Sequence, residues 1–336
     1  EKAYPKTPAA NLTAINAGIS GNTTVDALKR IQKDVLDHKP DLVTIMFGLN
    51  DMTRVSLEDY RANLKSIISQ CRLNGSEVML CTPNSVRDTS GRPTAKLEKY
   101  VAVVRELAAT LNVPLADCYA TFETVRNKDP LEWAFLMSDE IHPNMDGHKR
   151  IAETTVGRIT SKSDSLVDVP APQPAIPHTL ALIGAKKPIK VLAMPPYDAL
   201  LTKLLGEVAP DSPLDMTSWI VEGKTLAEIE EAAKGVRDKK YDLVFIAVPA
   251  EASAPTPEAF IQSYSWILNR SLSFNYQEWD VVAVPPSLST IPNGDSKTRS
   301  EWGKRMIRAQ DFTLIDAEDG SMDTATRVLR QWLEGQ

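Results

Sequence analysis

Apolar residues fall along the chain in two alternating rhythms. Leu42 to Phe47 is an apolar run entered through Pro40, the pattern of a strand buried on both faces. Asn11 to Asn16, Val78 to Cys81 and Leu115 to Cys118 also read as strands. Between them the period lengthens. Thr24 to His38 brings Leu28, Ile31 and Val35 onto one helical face, and Leu57 to Asn74 stops at Asn74-Gly75. Lys96 to Leu111 and Gly147 to Ile159 are the remaining helices of this stretch. Such alternation predicts a three-layer α/β/α fold, a parallel sheet with helices on both faces. In such sheets chemistry gathers at the carboxyl ends of the strands.

The pattern then repeats. Ile19 to Leu28 matches Ile220 to Ile229, and Asp41 to Asp51 matches Asp242 to Ala252, both at an offset of 201. Glu77 to Pro83 matches Asp280 to Pro286 at an offset of 203. Three matches in order indicate a duplicated domain. Residues 161–187 carry four prolines between Pro170 and Pro177, the composition of an extended connector. The expected organisation is a first domain over 1–160, a linker over 161–187 and a second copy over 188–336.

Three polar motifs follow strands of the first half: Asn16-Ala-Gly-Ile-Ser-Gly-Asn-Thr-Thr, Gly48-Leu-Asn-Asp and Asp139-Glu-Ile-His-Pro-Asn. An aspartate three residues before a histidine can accept the imidazole N–H, fix its tautomer and stabilise the imidazolium. Asn50, just past a strand, can donate to a developing oxyanion. Asp51 suits a structural role beside it, and Thr23 or Thr24 suits a helix cap. In order and spacing the three motifs resemble three of the four signature blocks of the SGNH (GDSL-type) hydrolases. The resemblance covers roughly residues 11–160. It implies a flavodoxin-like fold and serine ester hydrolysis through an acyl-enzyme, without metal or organic cofactor. It further implies His142 as general base, Asp139 as its orienting partner, and Gly21 and Asn50 as the oxyanion hole. The substrate would be a small-molecule or carbohydrate ester.

The family's first block, Gly-Asp-Ser on the first strand, has no match before Asn16, and residues 1–15 contain no serine. Gly294-Asp295-Ser296 lacks a preceding apolar strand and reads as coincidence. Pro188 to Tyr197 resembles the missing strand in the second half, with Tyr197 near the serine's place. The expectation is therefore a first domain truncated at its amino end, with the nucleophile upstream. Ser20 is set aside, because the family places a supporting residue there. His148 reads as a helix-start decoy and His38 as a helix-end cation.

The second half has no histidine after His178. The offset sets Glu222 and Glu251 against Gly21 and Asn50, and carboxylates there would repel an oxyanion. A degenerate, non-catalytic copy is expected. The alternative reading is an inactive tandem binding module. A nucleotide-binding flavodoxin-like protein is weaker, since no phosphate loop follows a strand.

Composition narrows the field further. Of 336 residues, 43% are apolar and 24% charged, which excludes a disordered chain. A net charge of -6 argues against a nucleic-acid partner, and no apolar run nears the ~18 residues of a membrane span. Cys71, Cys81 and Cys118 read as small buried hydrophobes. The proline-rich linker leans toward an exported bacterial protein.

Overall fold

The computed structural model describes residues 13–163, 165–273, 278–317 and 319–336. The chain divides into two compact units. The first comprises Glu1–Trp133, Glu140–Pro143 and Gly147–Asp168. The second comprises Ala134–Asp139, Asn144–Asp146 and Val169–Gln336.

In chain order the first part of the sequence forms α1 (Thr24–Asp34), β1 (Leu42–Met46), α2 (Asp51–Arg54), α3 (Leu57–Leu73), β2 (Glu77–Cys81) and α4 (Thr94–Thr110). Then come β3 (Leu115–Ala116), α5 (Cys118–Lys128), α6 (Pro130–Ala134) and α7 (Met145–Thr160). The strands form a parallel sheet in the order β1-β2-β3. Side chains alternate across β2. Val78 and Leu80 join the core under α1, α3 and α4, whereas Met79 and Cys81 pack with Ala116, Cys118 and Ile151 of α7. Helices therefore cover both faces. All three cysteines are buried thiols. Burial pushes Cys81 up to about 11 and Cys118 up to about 12, as suits inert hydrophobes.

The second part forms α8 (Pro177–Gly184), β4 (Ile189–Ala193), α9 (Tyr197–Val208), β5 (Leu214–Ser218), α10 (Leu226–Ala233) and β6 (Leu243–Ile246). α11 (Pro257–Ser271), β7 (Asp280–Ala283), α12 (Gly294–Ala309) and α13 (Met322–Glu334) complete it. Its parallel sheet runs β5-β4-β6-β7. The chain moves from β4 outward to β5, then back across to β6 and β7. Right-handed crossovers in opposite directions place α9 on one face and α10 and α11 on the other. In agreement, α9 packs with α13 and α10 packs with α11.

Backbone features recur between the two parts of the chain. Lys39 and Lys240, 201 apart, both hold a left-handed conformation at φ 49° after a 3-10 turn. Asp41 O accepts from Glu77 N at 2.8 Å, and Asp242 O accepts from Asp280 N at 2.9 Å.

Three expectations change. Residues 161–187 are not connector throughout, because 177–184 fold as α8, whose start is tied down by Asp280. Its carboxylate accepts from His178 N (3.3 Å) and Thr179 N (2.6 Å). The strand expected over Asn11 to Asn16 is absent where described, since residues 13–16 are irregular and exposed; residues 11 and 12 lie outside the described residues. Finally, β1 is not buried on both faces. Leu42 and Met46 are each 37% exposed, while every residue of its counterpart β6 is buried. The difference is positional. β6 lies between β4 and β7, whereas β1 is an edge strand among the described residues.

Candidate active site

The turn feeding α1 is built from small polar residues. Asn16 Oδ1 accepts from Gly18 N at 2.9 Å, and Asn22 N closes onto Ile19 O at 3.2 Å. Gly21 sits at φ +77°, a region costly for residues with a Cβ. Nothing stands within 4 Å of where that Cβ would go. Backbone conformation, rather than crowding within the chain, selects glycine here. Two arginines clasp the turn. Arg30 Nη1 donates to Ala17 O (2.6 Å) and its Nε to Asn22 Oδ1 (2.9 Å), while Arg54 donates to Gly21 O.

The Gly48-Leu-Asn-Asp corner lies against this turn. Asn50 Nδ2 donates to Asn22 O at 3.1 Å. This bond, across 28 residues of sequence, sets Asn50 beside the turn that contains Gly21, the other residue expected to form an oxyanion hole. The Asn50 amide carries a second N–H, for which no partner is seen among the described residues. Asp51 is fully buried. Its Oδ1 accepts from Thr24 N (2.8 Å) and Thr24 Oγ1 (2.6 Å), and its Oδ2 has no partner among the described residues. Asp51 therefore holds the start of α1, the structural role expected of it. Thr23 adds a second cap, with Asp26 Oδ2 accepting from its N (3.0 Å) and Oγ1 (2.7 Å). Gly48 sits at φ +135°, a conformation that side chains rarely adopt, and a Cβ there would also lie 3.2 Å from Tyr60 Oη.

Asp139 and His142 occupy one loop ahead of α7, with Asp139 half-buried and His142 exposed. Within the first unit the stretch before His142 is anchored from the loop after β2. Asn84 Nδ2 donates to Ile141 O (3.0 Å), and Arg87 N donates to Glu140 O (2.8 Å). Within the second unit, Asn269 Nδ2 donates to Ser138 Oγ at 2.8 Å. His148 stands in the first turn of α7 and is exposed. Desolvation, and next the charge of nearby His142, lower its pKa below 6.5, although part of the side chain reaches solvent.

Sequence reading missed Arg54 and Asn84. Arg54 lies four residues after Asn50, one helical turn on, so the helix period could have flagged it. Asn84 lies just past a strand's carboxyl end, where a buried polar residue invites inspection. Ser20 is exposed, and Ser296 Oγ is engaged in capping α12, bonded to Asn293 N (2.9 Å) and Asn293 O (2.6 Å).

The second unit carries the same turn with one correction. Lys224 N bonds Val221 O, as Asn22 N bonds Ile19 O, and Thr225 with Glu228 repeats the cap of Thr23 with Asp26. The local offset is therefore 202, and Gly21 corresponds to Gly223 (φ +71°), not Glu222. The one-residue shift escaped an ungapped comparison. Glu251 still takes the place of Asn50, in the turn after β6. The carboxyl end of this sheet holds a cavity of about 190 Å³ lined by Pro195, Pro196, Tyr197, Glu251 and Ser289 among others. No histidine lines it, and burial pushes the Tyr197 phenol up to about 12. His178 Nε2 instead meets Asp242 Oδ1 at 2.9 Å, at the amino end of β6.

Residues 1–150 match the model of the GDSL-like Lipase/Acylhydrolase family. An acetylxylan esterase of Geobacillus stearothermophilus is 31% identical over 164 residues, 45% of this chain and 74% of that protein. The chain belongs to the GDSL-like lipase/acylhydrolase family. An arylesterase of Vibrio mimicus is 30% identical over 144 residues, covering 43% of this chain and 68% of that protein. Among solved structures, the Geobacillus acetylxylan esterase aligns at 32% identity and a TM-score of 0.39, over 42% of this chain and 69% of that one. Among the described residues no helix is long and apolar enough to cross a membrane, and no cluster could hold a metal ion.

Proposed function

We propose that the first domain is a serine carboxylic-ester hydrolase that works through an acyl-enzyme. His142 is the general base, Asp139 orients it, and Gly21 N–H and the Asn50 amide hold the oxyanion. The nucleophilic serine comes from polypeptide outside residues 1–336. What carries the reading is the 3.1 Å bond from Asn50 Nδ2 to Asn22 O, which sets a side-chain donor beside the Gly21 turn. A neutral imidazole takes the serine proton, the oxyanion forms against the two donors, and the imidazolium returns the proton to the leaving alcohol. Water then repeats the sequence on the acyl-enzyme.

The substrate class is an ester of a small acyl group on a carbohydrate or other small alcohol, which agrees with the names of the related esterases. The second copy is non-catalytic, since Glu251 stands where Asn50 would donate. The test is hydrolysis of p-nitrophenyl acetate by polypeptide extended upstream of Glu1. His142→Ala is expected to cut kcat by about 10³-fold or more with little change in KM. Retention of wild-type kcat would overturn the assignment.

A further inference from the structure

We propose that the second unit binds a neutral pyranose sugar in the cavity between α12 and the turn that follows β7. The cavity measures about 440 Å³, and its wall includes Ser287 in that turn. Its size falls within the roughly 300–1,000 Å³ of small-molecule sites. α12 gives it one helical face, on which Lys297, Ser300, Glu301 and Lys304 follow at spacings of three and four. Ser300 is only 1% exposed, and its Oγ has no hydrogen-bond partner among the described residues. A buried hydroxyl left unpaired is costly, and a ligand in the cavity would supply the partner. The first unit builds the same framework without that hydroxyl. There Asp117 accepts from Thr82 Oγ1 at 3.0 Å and pairs with Arg105 at 2.7 Å. Here Asp316 accepts from Ser287 Oγ at 2.6 Å and pairs with Lys304 at 2.8 Å. Lys304 and Asp316 each stand 199 residues after their counterparts, and the same offset sets Ser300 against Val101. Val101 is fully buried in the first core. The second unit therefore has a cavity-lining hydroxyl where the first packs an alkyl side chain.

The charges around the cavity decide the ligand class. Lys304 Nζ bridges Glu301 Oε1 (3.0 Å) and Asp316 Oδ2 (2.8 Å), and Lys297 is exposed on the same helical face. Two ammonium groups thus face two carboxylates, a balance that favours neither an anion nor a cation. Desolvation works against the Lys304 charge, but the bonds to Asp316 and Glu301 prevail and raise its pKa. Lys304 therefore stays protonated and is no base for Ser300, so the site binds rather than reacts. The Lys297 ammonium and the Ser300 hydroxyl offer donors, and Glu301 has a carboxylate oxygen beyond the one that meets Lys304. A ligand rich in hydroxyls, each both donor and acceptor, matches that mixture. Ile291, 68% exposed, and Pro292 supply an apolar stretch of wall, which suits the C–H face of a pyranose ring. This wall is fixed in advance. Thr290 N bonds Pro286 O at 3.0 Å, and a Cβ on Gly320 would lie 2.6 Å from the Thr290 carbonyl carbon. A preset wall lowers the ordering cost of binding. Every group of the site belongs to the second unit, so it stands independently of the catalytic reading.

The probes are the methyl β-pyranosides of glucose, galactose and xylose, titrated singly into the 336-residue chain and followed by backbone amide shifts in NMR. Saturable binding of at least one, with a Kd of about 1 mM, is expected for a ligand of this size. The shifts should centre on Ser287, Ile291 and Ser300. Ser300→Val should weaken binding at least about fivefold by removing the buried hydroxyl. It should keep the melting temperature, since Val101 shows that the framework accepts that side chain. Lys297→Met, at an exposed position, should weaken binding about threefold. It decides alone if Ser300→Val fails to fold. No saturation by any of the three sugars would overturn the proposal, as would affinity unchanged in Ser300→Val. Shifts centred on Glu251 and Ser289 would move the ligand to the other cavity and overturn it too. Saturation by inorganic phosphate but by none of the sugars would replace the neutral ligand with an anion and have the same consequence.

Discussion

At the scale of single residues, neighbours in one motif divide two kinds of work. Asn50 and Asp51 adjoin in sequence, yet Asp51 is buried against the start of α1 while Asn50 turns to the Gly21 loop. Their substitutions should separate. Asn50→Ala in the upstream-extended polypeptide is expected to lower kcat by about 10²–10³ with unchanged thermal stability, the usual effect of losing one oxyanion donor. An equal loss of melting temperature and activity would show that the residue only builds the corner. His148 makes a pH prediction. Its folded pKa lies below 6.5, so between the two values the unfolded chain binds more protons. Stability should be fully present above about pH 6.5, the unfolded value, and fall as pH drops through the folded one. Urea midpoints at pH 7 and pH 5 should differ less in His148→Gln than in wild type.

At the scale of elements, the turns before α1 and α10 are one device used twice. Gly21→Ala and Gly223→Ala should each cost about 1 kcal/mol by urea unfolding, because both force a Cβ into the left-handed region. The helices were legible from their period, as α1, α3 and α4 show. Of the three motifs, the Gly48-Leu-Asn-Asp corner directly follows β1, whereas no described strand precedes the Asn16 turn and the Asp139 to His142 loop comes after α6. β1 was misjudged for a physical reason. A run such as Leu42 to Phe47 records the surface a strand is suited to lose, whereas its exposure depends on a neighbour that local sequence does not name. The same absence explains residues 13–16, which had strand character but no described partner strand. Helix α8 was hidden by its prolines, though Pro177 stands at the first helical position, where proline is tolerated. Position along the chain could flag Arg54 and Asn84, but their partners, Gly21 O and Ile141 O, lie 33 and 57 residues away and emerge only in the fold.

At the scale of the whole molecule, two copies of one α/β pattern have diverged in chemistry more than in backbone. The left-handed lysines, the capped turns and the ladder bond at the start of β1 and β6 persist. Glu251 stands in the place of Asn50, and no histidine follows His178. The first part thus holds the proposed base and oxyanion hole, and the serine they would serve is proposed to lie outside residues 1–336. The most direct measurement is labelling by a fluorophosphonate probe, followed by peptide mapping. Residues 1–336 alone should remain unlabelled, and polypeptide extended upstream through one more strand should label stoichiometrically at a single upstream serine, in a manner lost on His142→Ala. Stoichiometric labelling of Ser20 or Ser296 within residues 1–336, also lost on His142→Ala, would contradict the account.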